Sequence, residues 1–164
     1  MSRSNILDYL NNPSPQTLGR SPLEWLDRLQ RPTVVRVAGR DPSRTRAMAT
    51  LLHGNEPSGL FAIHRWLLEQ HTPEVNLLFL LAGVRPAKTP PVLSLRQVPG
   101  GRDLNRCFKE PFAGEEGAIA EAMLAELQTA NPECLLDVHN TSGTGPAFAV
   151  TITNDAAHQA LASL

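Results

Sequence analysis

The chain has 164 residues, 41% of them hydrophobic, and a formal net charge of −1. That length allows one domain with a real buried core. That hydrophobic content and near-neutral charge suggest neither disorder nor a nucleic-acid partner, and the interspersed basic and acidic residues leave no run that would bind phosphate backbones or anionic lipid.

Met1 to Asn5 carries no apolar segment of the signal-peptide kind. The longest apolar run, Leu77 to Val84, is far too short to span a bilayer. The expectation is a soluble cytoplasmic protein. Residues 1 to 32 are expected to form a helical lead-in to a catalytic domain over 33 to 164. Asn11 to Pro15 reads as a turn. Ser21-Pro22-Leu23-Glu24 predicts a helix start, with a Ser cap, Pro at the first helical position and Glu where a capping box places it. Leu23, Trp25, Leu26 and Leu29 follow as its apolar stripe.

Thr33 to Gly39 is a β-rich run, Arg40 to Ser43 a turn, and Arg46 to His53 a second strand. The short connection suggests an antiparallel hairpin. His53-Gly54-Asn55-Glu56-Pro57 then marks a strand-to-helix turn, with Gly54 and Asn55 suited to positive-φ backbone. Ser58 to Gln70 is predicted helical, with Leu60, Ile63, Leu67 and Leu68 at helical spacing. His64 reads as a packed or surface histidine. His71 reads as a cation at the helix's C-terminal end.

Val75 to Val84 is nearly all apolar, as in a buried central strand. Arg85 to Pro99 holds four prolines and reads as an irregular loop. Gly100 to Phe108 is a glycine-led polar segment containing Arg102, Asp103, Asn105 and Arg106. Glu115 to Ala130 predicts a helix with Ile119, Met123 and Leu127 on one face, ended by Asn131-Pro132. Cys134 to Val138 is a short apolar strand that gives way to His139-Asn140-Thr141-Ser142-Gly143. Phe148 to Ile152 is a further expected strand, and a short helix begins at Asn154. Cys107 and Cys134 make no disulfide framework and read as small core residues. The fold class expected is α/β, with a mixed, largely parallel sheet flanked by helices.

His53, Glu56 and His139 share one feature. Each lies at or just past the end of an apolar strand. In a largely parallel sheet such ends gather at one edge, where α/β sites form. Two imidazoles and a carboxylate suit Zn2+, and a catalytic zinc keeps three protein ligands and one open position.

Three blocks, His53-Gly54-Asn55-Glu56-Pro57, Asp103-Leu104-Asn105-Arg106 and Asp137-Val138-His139-Asn140-Thr141, occur in this order. As a set they resemble the succinylglutamate desuccinylase/aspartoacylase family of the zinc carboxypeptidase clan. The resemblance runs from about residue 33 to the end. It implies a zinc carboxypeptidase-like fold with one zinc held by His53, Glu56 and His139. It further implies that Asn105 and Arg106 hold a substrate carboxylate. An arginine ahead of the second block would polarise the scissile carbonyl; Arg96 fits with a one-residue gap, and Arg102 is the alternative. Asp103 would stand behind an arginine or a ligand and fix it. The implied reaction is hydrolysis of an N-acyl amino acid, with a metal-activated water, a general base and an oxyanion-stabilising arginine.

The family's general base is a glutamate well downstream of the third ligand. After His139 this chain has no glutamate, and Asp155 is its only acid. The expectation is therefore the N-terminal portion of a longer enzyme, or a natural truncation, with an open sheet edge that favours self-association. Two alternatives stand beside the amidohydrolase: a carboxypeptidase-like peptidase of the same clan, and a non-catalytic module binding zinc or a carboxylate ligand.

Overall fold

The computed structural model describes residues 6–141, 143 and 145–163. Met1 to Asn5, Ser142 and Leu164, used in the sequence reading, lie outside the described residues. Five strands form one sheet: β1 (Asp8–Asn11), β2 (Thr33–Val37), β3 (Asp41–Thr50), β4 (Val75–Leu81) and β5 (Leu135–Val138). Their order is β1-β2-β4-β3-β5. β2 and β4 pair antiparallel; the other three pairings are parallel. The protein is thus α/β with a mixed sheet.

The expected β2–β3 hairpin does not form, because β4 lies between those two strands. The reason is in β4 itself. Leu78 and Leu80 bury on one face, Phe79 and Leu81 on the other. A strand apolar on both faces gains most from a central place, where helices cover both sides.

Helices α1 (Pro15–Leu18), α2 (Pro22–Arg28), α3 (Ser58–Leu68) and α4 (Val84–Lys88) cover one face. Leu18, Trp25, Leu26, Leu60, Ile63 and Leu67 pack there with Val35, Phe79 and Leu81. Helix α5 (Gly114–Ala130) covers the other face, setting Ala120 and Met123 against Val34, Leu78 and Leu80. Asn131 ends α5 in the left-handed conformation at φ 42, one that Asn tolerates.

Residues 8–11, expected within a helical lead-in, instead form the parallel edge strand β1. Asp-Tyr-Leu-Asn is too short to show a period, so its pairing with β2 decides its conformation. Ser21 does cap α2, its hydroxyl accepting from the Glu24 N–H at 3.1 Å. Leu23, however, is half exposed, turned away from the stripe of Trp25, Leu26 and Leu29. The turn expected at 40–43 is an irregularity within β3, whose register shifts between Asp41 and Thr45.

Within the expected loop 85–99, α4 forms and buries Ala87. Pro86 lies in its first turn, where a missing N–H costs nothing. Phe148 to Ile152 is not a strand: Phe148, Val150 and Ile152 are 69%, 80% and 90% exposed. Its alternation suits a strand, but no neighbour among the described residues supplies backbone partners. The final helix, α6 (Ala156–Ala162), is capped by Asp155. Cys107 is buried and Cys134 half-buried, both as free thiols. No described helix is long and apolar enough to cross a membrane.

Candidate metal centre

Thr50 of β3 pairs with Leu81 of β4 and with Val138 of β5. The carboxyl ends of three strands are therefore level at one edge. Past Thr50 the chain breaks from the sheet at Leu51, which is fully buried and left-handed at φ 55. The Gly83 N–H donates to its carbonyl at 2.5 Å. Positive φ thus falls on Leu51, and neither Gly54 nor Asn55 adopts it. Gly54 is needed for close approach instead. A Cβ there would stand 2.4 Å from Ala87 N and 2.6 Å from Pro86 C. The Glu56 N–H then donates to the His53 carbonyl at 3.1 Å, closing the turn. Gly59 lets the first turn of α3 lie on the end of β3, since a Cβ there would meet Thr50 Oγ1 at 2.2 Å. The sequence thus fixes His53 and Glu56 by two glycine contacts and one strained residue.

His139 arrives from the end of β5. His53 Nδ1 lies 2.9 Å from Glu56 Oε1, and His139 Nδ1 lies 2.6 Å from Glu56 Oε2. The ring centroids of the two histidines are 5.2 Å apart. One ligand atom from each of His53, Glu56 and His139 lies within 4.8 Å of the others, a group that could hold a metal ion. His53 and Glu56 are buried, and His139 is partly exposed.

The opposite ring nitrogens are anchored too. His53 Nε2 is 3.0 Å from Asp103 Oδ1, and His139 Nε2 is 2.9 Å from Asp137 Oδ2. Asp103 reaches this place from the Gly100–Phe108 segment, where it caps a 3-10 turn over Leu104–Arg106 and accepts from the Asn105 N–H at 2.9 Å. Burial works to raise the Asp103 carboxyl, but hydrogen bonds from Arg96, His53 and the Asn105 N–H outweigh it and hold the group below its ordinary range. For His139, burial pulls the pKa down, while hydrogen bonds and charge from Asp137 and Glu56 push it above the ordinary value.

No family model, curated protein or solved structure matches the chain. The chemistry of this centre therefore rests on its own geometry. Each imidazole faces a carboxylate at both nitrogens. A neutral imidazole has one N–H and can satisfy only one of the two. The second contact of each ring calls for a further proton or for a cation shared by the two Nδ1 atoms and Glu56. With a cation there, each Nε2–H would donate to its aspartate, the arrangement by which carboxylates orient metal-ligating histidines. The donor set fits a divalent ion.

Arg96 is at this centre. Its Nη2 donates to Asp103 Oδ2 at 3.0 Å and its Nη1 to Glu56 Oε1 at 3.5 Å. The Arg96 carbonyl accepts from the Gly54 N–H at 3.0 Å, tying its segment to the His53 turn. Arg102 points elsewhere and donates to the Ala113 carbonyl at 2.7 Å. Asn105 is partly buried, and Arg106 is exposed, donating only to the adjacent Asn105 carbonyl at 3.0 Å among the bonds described. His64 is buried beside Trp25, ring centroids 5.8 Å apart, and His71 pairs with Glu69 at 3.2 Å. Neither joins the cluster.

Sequence reasoning gave no role to Asp137 or Asn140. For Asp137 a signal existed: residues two apart along a strand share a face, so Asp137 and His139 lie on one side of the end of β5. The bonds made by Asn140 are long-range, and no local pattern carries them.

Proposed function

We propose that the chain carries the metal centre of a zinc-dependent amidohydrolase acting on an N-acyl amino acid, in the manner of the succinylglutamate desuccinylase/aspartoacylase family it resembles. One observation carries this reading: two imidazole Nδ1 atoms and a carboxylate converge, with an aspartate behind each imidazole. His53, Glu56 and His139 would hold the zinc. Bound there, zinc would supply Lewis acidity and an activated water near neutral pH.

The remaining work falls to the chain's own side chains. Asp103 fixes His53 and also holds the Arg96 guanidinium, so Arg96 is preset beside the centre. A guanidinium so placed is suited to stabilise an oxyanion, a role typically worth about 3 kcal/mol. Asn105 and Arg106 offer an amide and a fork of N–H donors for a substrate carboxylate. An amine and a carboxylic acid would be the products.

A specific observation favours a second reading, a non-catalytic zinc- or carboxylate-binding module. Glu56, Asp103 and Asp137 are all bonded to imidazoles. These three carboxylates are thus committed to the histidines rather than poised as a general base. Elemental analysis of the purified chain beside His53→Ala comes first. About one zinc per chain in the parent and little in the variant supports the centre. Amine release from a panel of N-acyl amino acids then separates the two readings. A zinc-loaded protein that releases none from any of them rejects the amidohydrolase.

A further inference from the structure

We infer that Asn140 is the positioning residue that assembles the centre, holding the third ligand against the first two. This rests on reading His53, Glu56 and His139 as a metal centre. β5 is an edge strand whose Leu135 and Leu136 are exposed. Burial alone therefore holds the end of β5 weakly, yet His139 must stay within bonding distance of Glu56. The Asn140 bonds supply what burial does not. Its backbone N–H donates to Glu56 Oε2 at 3.2 Å. Its side-chain Oδ1 accepts from the Ser58 N–H at 3.1 Å, and its Nδ2 donates to Ser58 Oγ at 2.6 Å.

The partner element explains why an amide is suited here. The N-cap position of α3 is Pro57, which makes no side-chain capping bond. The N–H groups of a helix's first turn have no partner within the helix. Asn140 satisfies one of them from 82 residues away. An Asn amide has both an acceptor and donors, so it grips the Ser58 backbone and hydroxyl together. Asn140 thus acts as a cap supplied from a distant part of the same chain, and Glu56, two residues before Ser58, is held in register with His139. A merely structural cap would support α3 and leave the ligands indifferent to its loss. A positioning residue changes the metal affinity itself.

The test is calorimetric titration of Zn2+ into the parent chain, Asn140→Ala, Ser58→Ala and the double variant, with thermal melts of each metal-free form. The expected result for Asn140→Ala is a loss of zinc affinity of about tenfold or more, the scale seen when groups orienting a ligand are removed. Ser58→Ala removes only the hydroxyl bond and should weaken binding less. The double variant should bind no more weakly than Asn140→Ala alone, because the two side chains act through one bridge. Unchanged affinity in Asn140→Ala, with or without a lower melting temperature, overturns the inference. Should Asn140→Ala fail to fold, Ser58→Ala decides: weaker zinc binding supports the bridge, and parent-like binding overturns it. A parent chain that takes up no zinc rejects the metal centre and this inference together. A parent that binds beside an Asn140→Ala chain that binds equally rejects this inference alone.

Discussion

Replacing Gly54 by alanine tests whether the His53–Glu56 turn is held by backbone contact with α4. The added Cβ would stand 2.4 Å from Ala87 N, 2.6 Å from Pro86 C and 2.8 Å from Leu95 O. All three are backbone atoms, so no flexible side-chain end can swing aside. The turn must move by roughly 1 Å to reach ordinary contact distances of about 3.5 Å. Overpacking of this kind costs typically 1–3 kcal/mol. With backbone on both sides we expect about 3 kcal/mol. For a chain of this size that lowers the melting temperature by roughly 6–12 °C. Urea unfolding gives the free energy directly, provided the m value is unchanged. Gly143→Ala is the control, since nothing lies within 4 Å of a Cβ there; its effect should stay within about 0.5 kcal/mol. The same displacement would carry His53 away from Glu56, so zinc affinity should fall as well. A Gly54→Ala chain within about 1 kcal/mol of the parent, binding zinc normally, would refute the close-packing argument.

Asp103→Ala removes the bonds to His53 Nε2, Arg96 Nη2 and the Asn105 N–H together, whereas Asp137→Ala removes only that to His139 Nε2. Both should lower zinc affinity by about 10- to 100-fold, Asp103→Ala the more, as read by calorimetric titration. Met123→Ala hollows the α5 face of the core, where Met123 is buried against the sheet; unfolding in urea should show a loss of about 2–5 kcal/mol, with zinc per folded chain unchanged. Ser21→Ala removes the cap of α2 and should cost about 1 kcal/mol, while Leu23→Ala on the same helix should cost little by the same assay.

The sequence carried the parts of the fold that local chemistry decides. β4 was legible because a nearly uninterrupted apolar run needs cover on both faces. The start of α2 was legible because Ser21 and Pro22 satisfy a helix's first turn. The end of α5 was legible at Asn131. What long-range pairing decides was not legible. Nothing in residues 33–50 says that β4 will come between β2 and β3, and the short connection argued the opposite. β1 has four residues and takes its conformation from β2. Phe148 to Ile152 alternates like a strand but has no described partner. Strain was misplaced for a related reason. Gly54 and Asn55 tolerate positive φ, yet tertiary packing put it on buried Leu51 and used Gly54 for its missing side chain.

The centre shows the same division at finer scale. His53 and Glu56 are three residues apart, so one turn suffices to juxtapose them. Asp103 meets His53 across 50 residues, and His139 meets Glu56 across 83. The second of these meetings depends on the sense of one strand pairing. Because β5 runs parallel to β3 with Val138 opposite Thr50, His139 emerges at the edge where Leu51 breaks the chain toward His53. Had β5 paired antiparallel, His139 would leave the sheet at the far end of a four-residue strand, roughly 10 Å away at the usual rise per residue. No side-chain rotation recovers that distance. Ligand-type residues at strand ends meet at one edge only when their strands run the same way, and here β3 and β5 do.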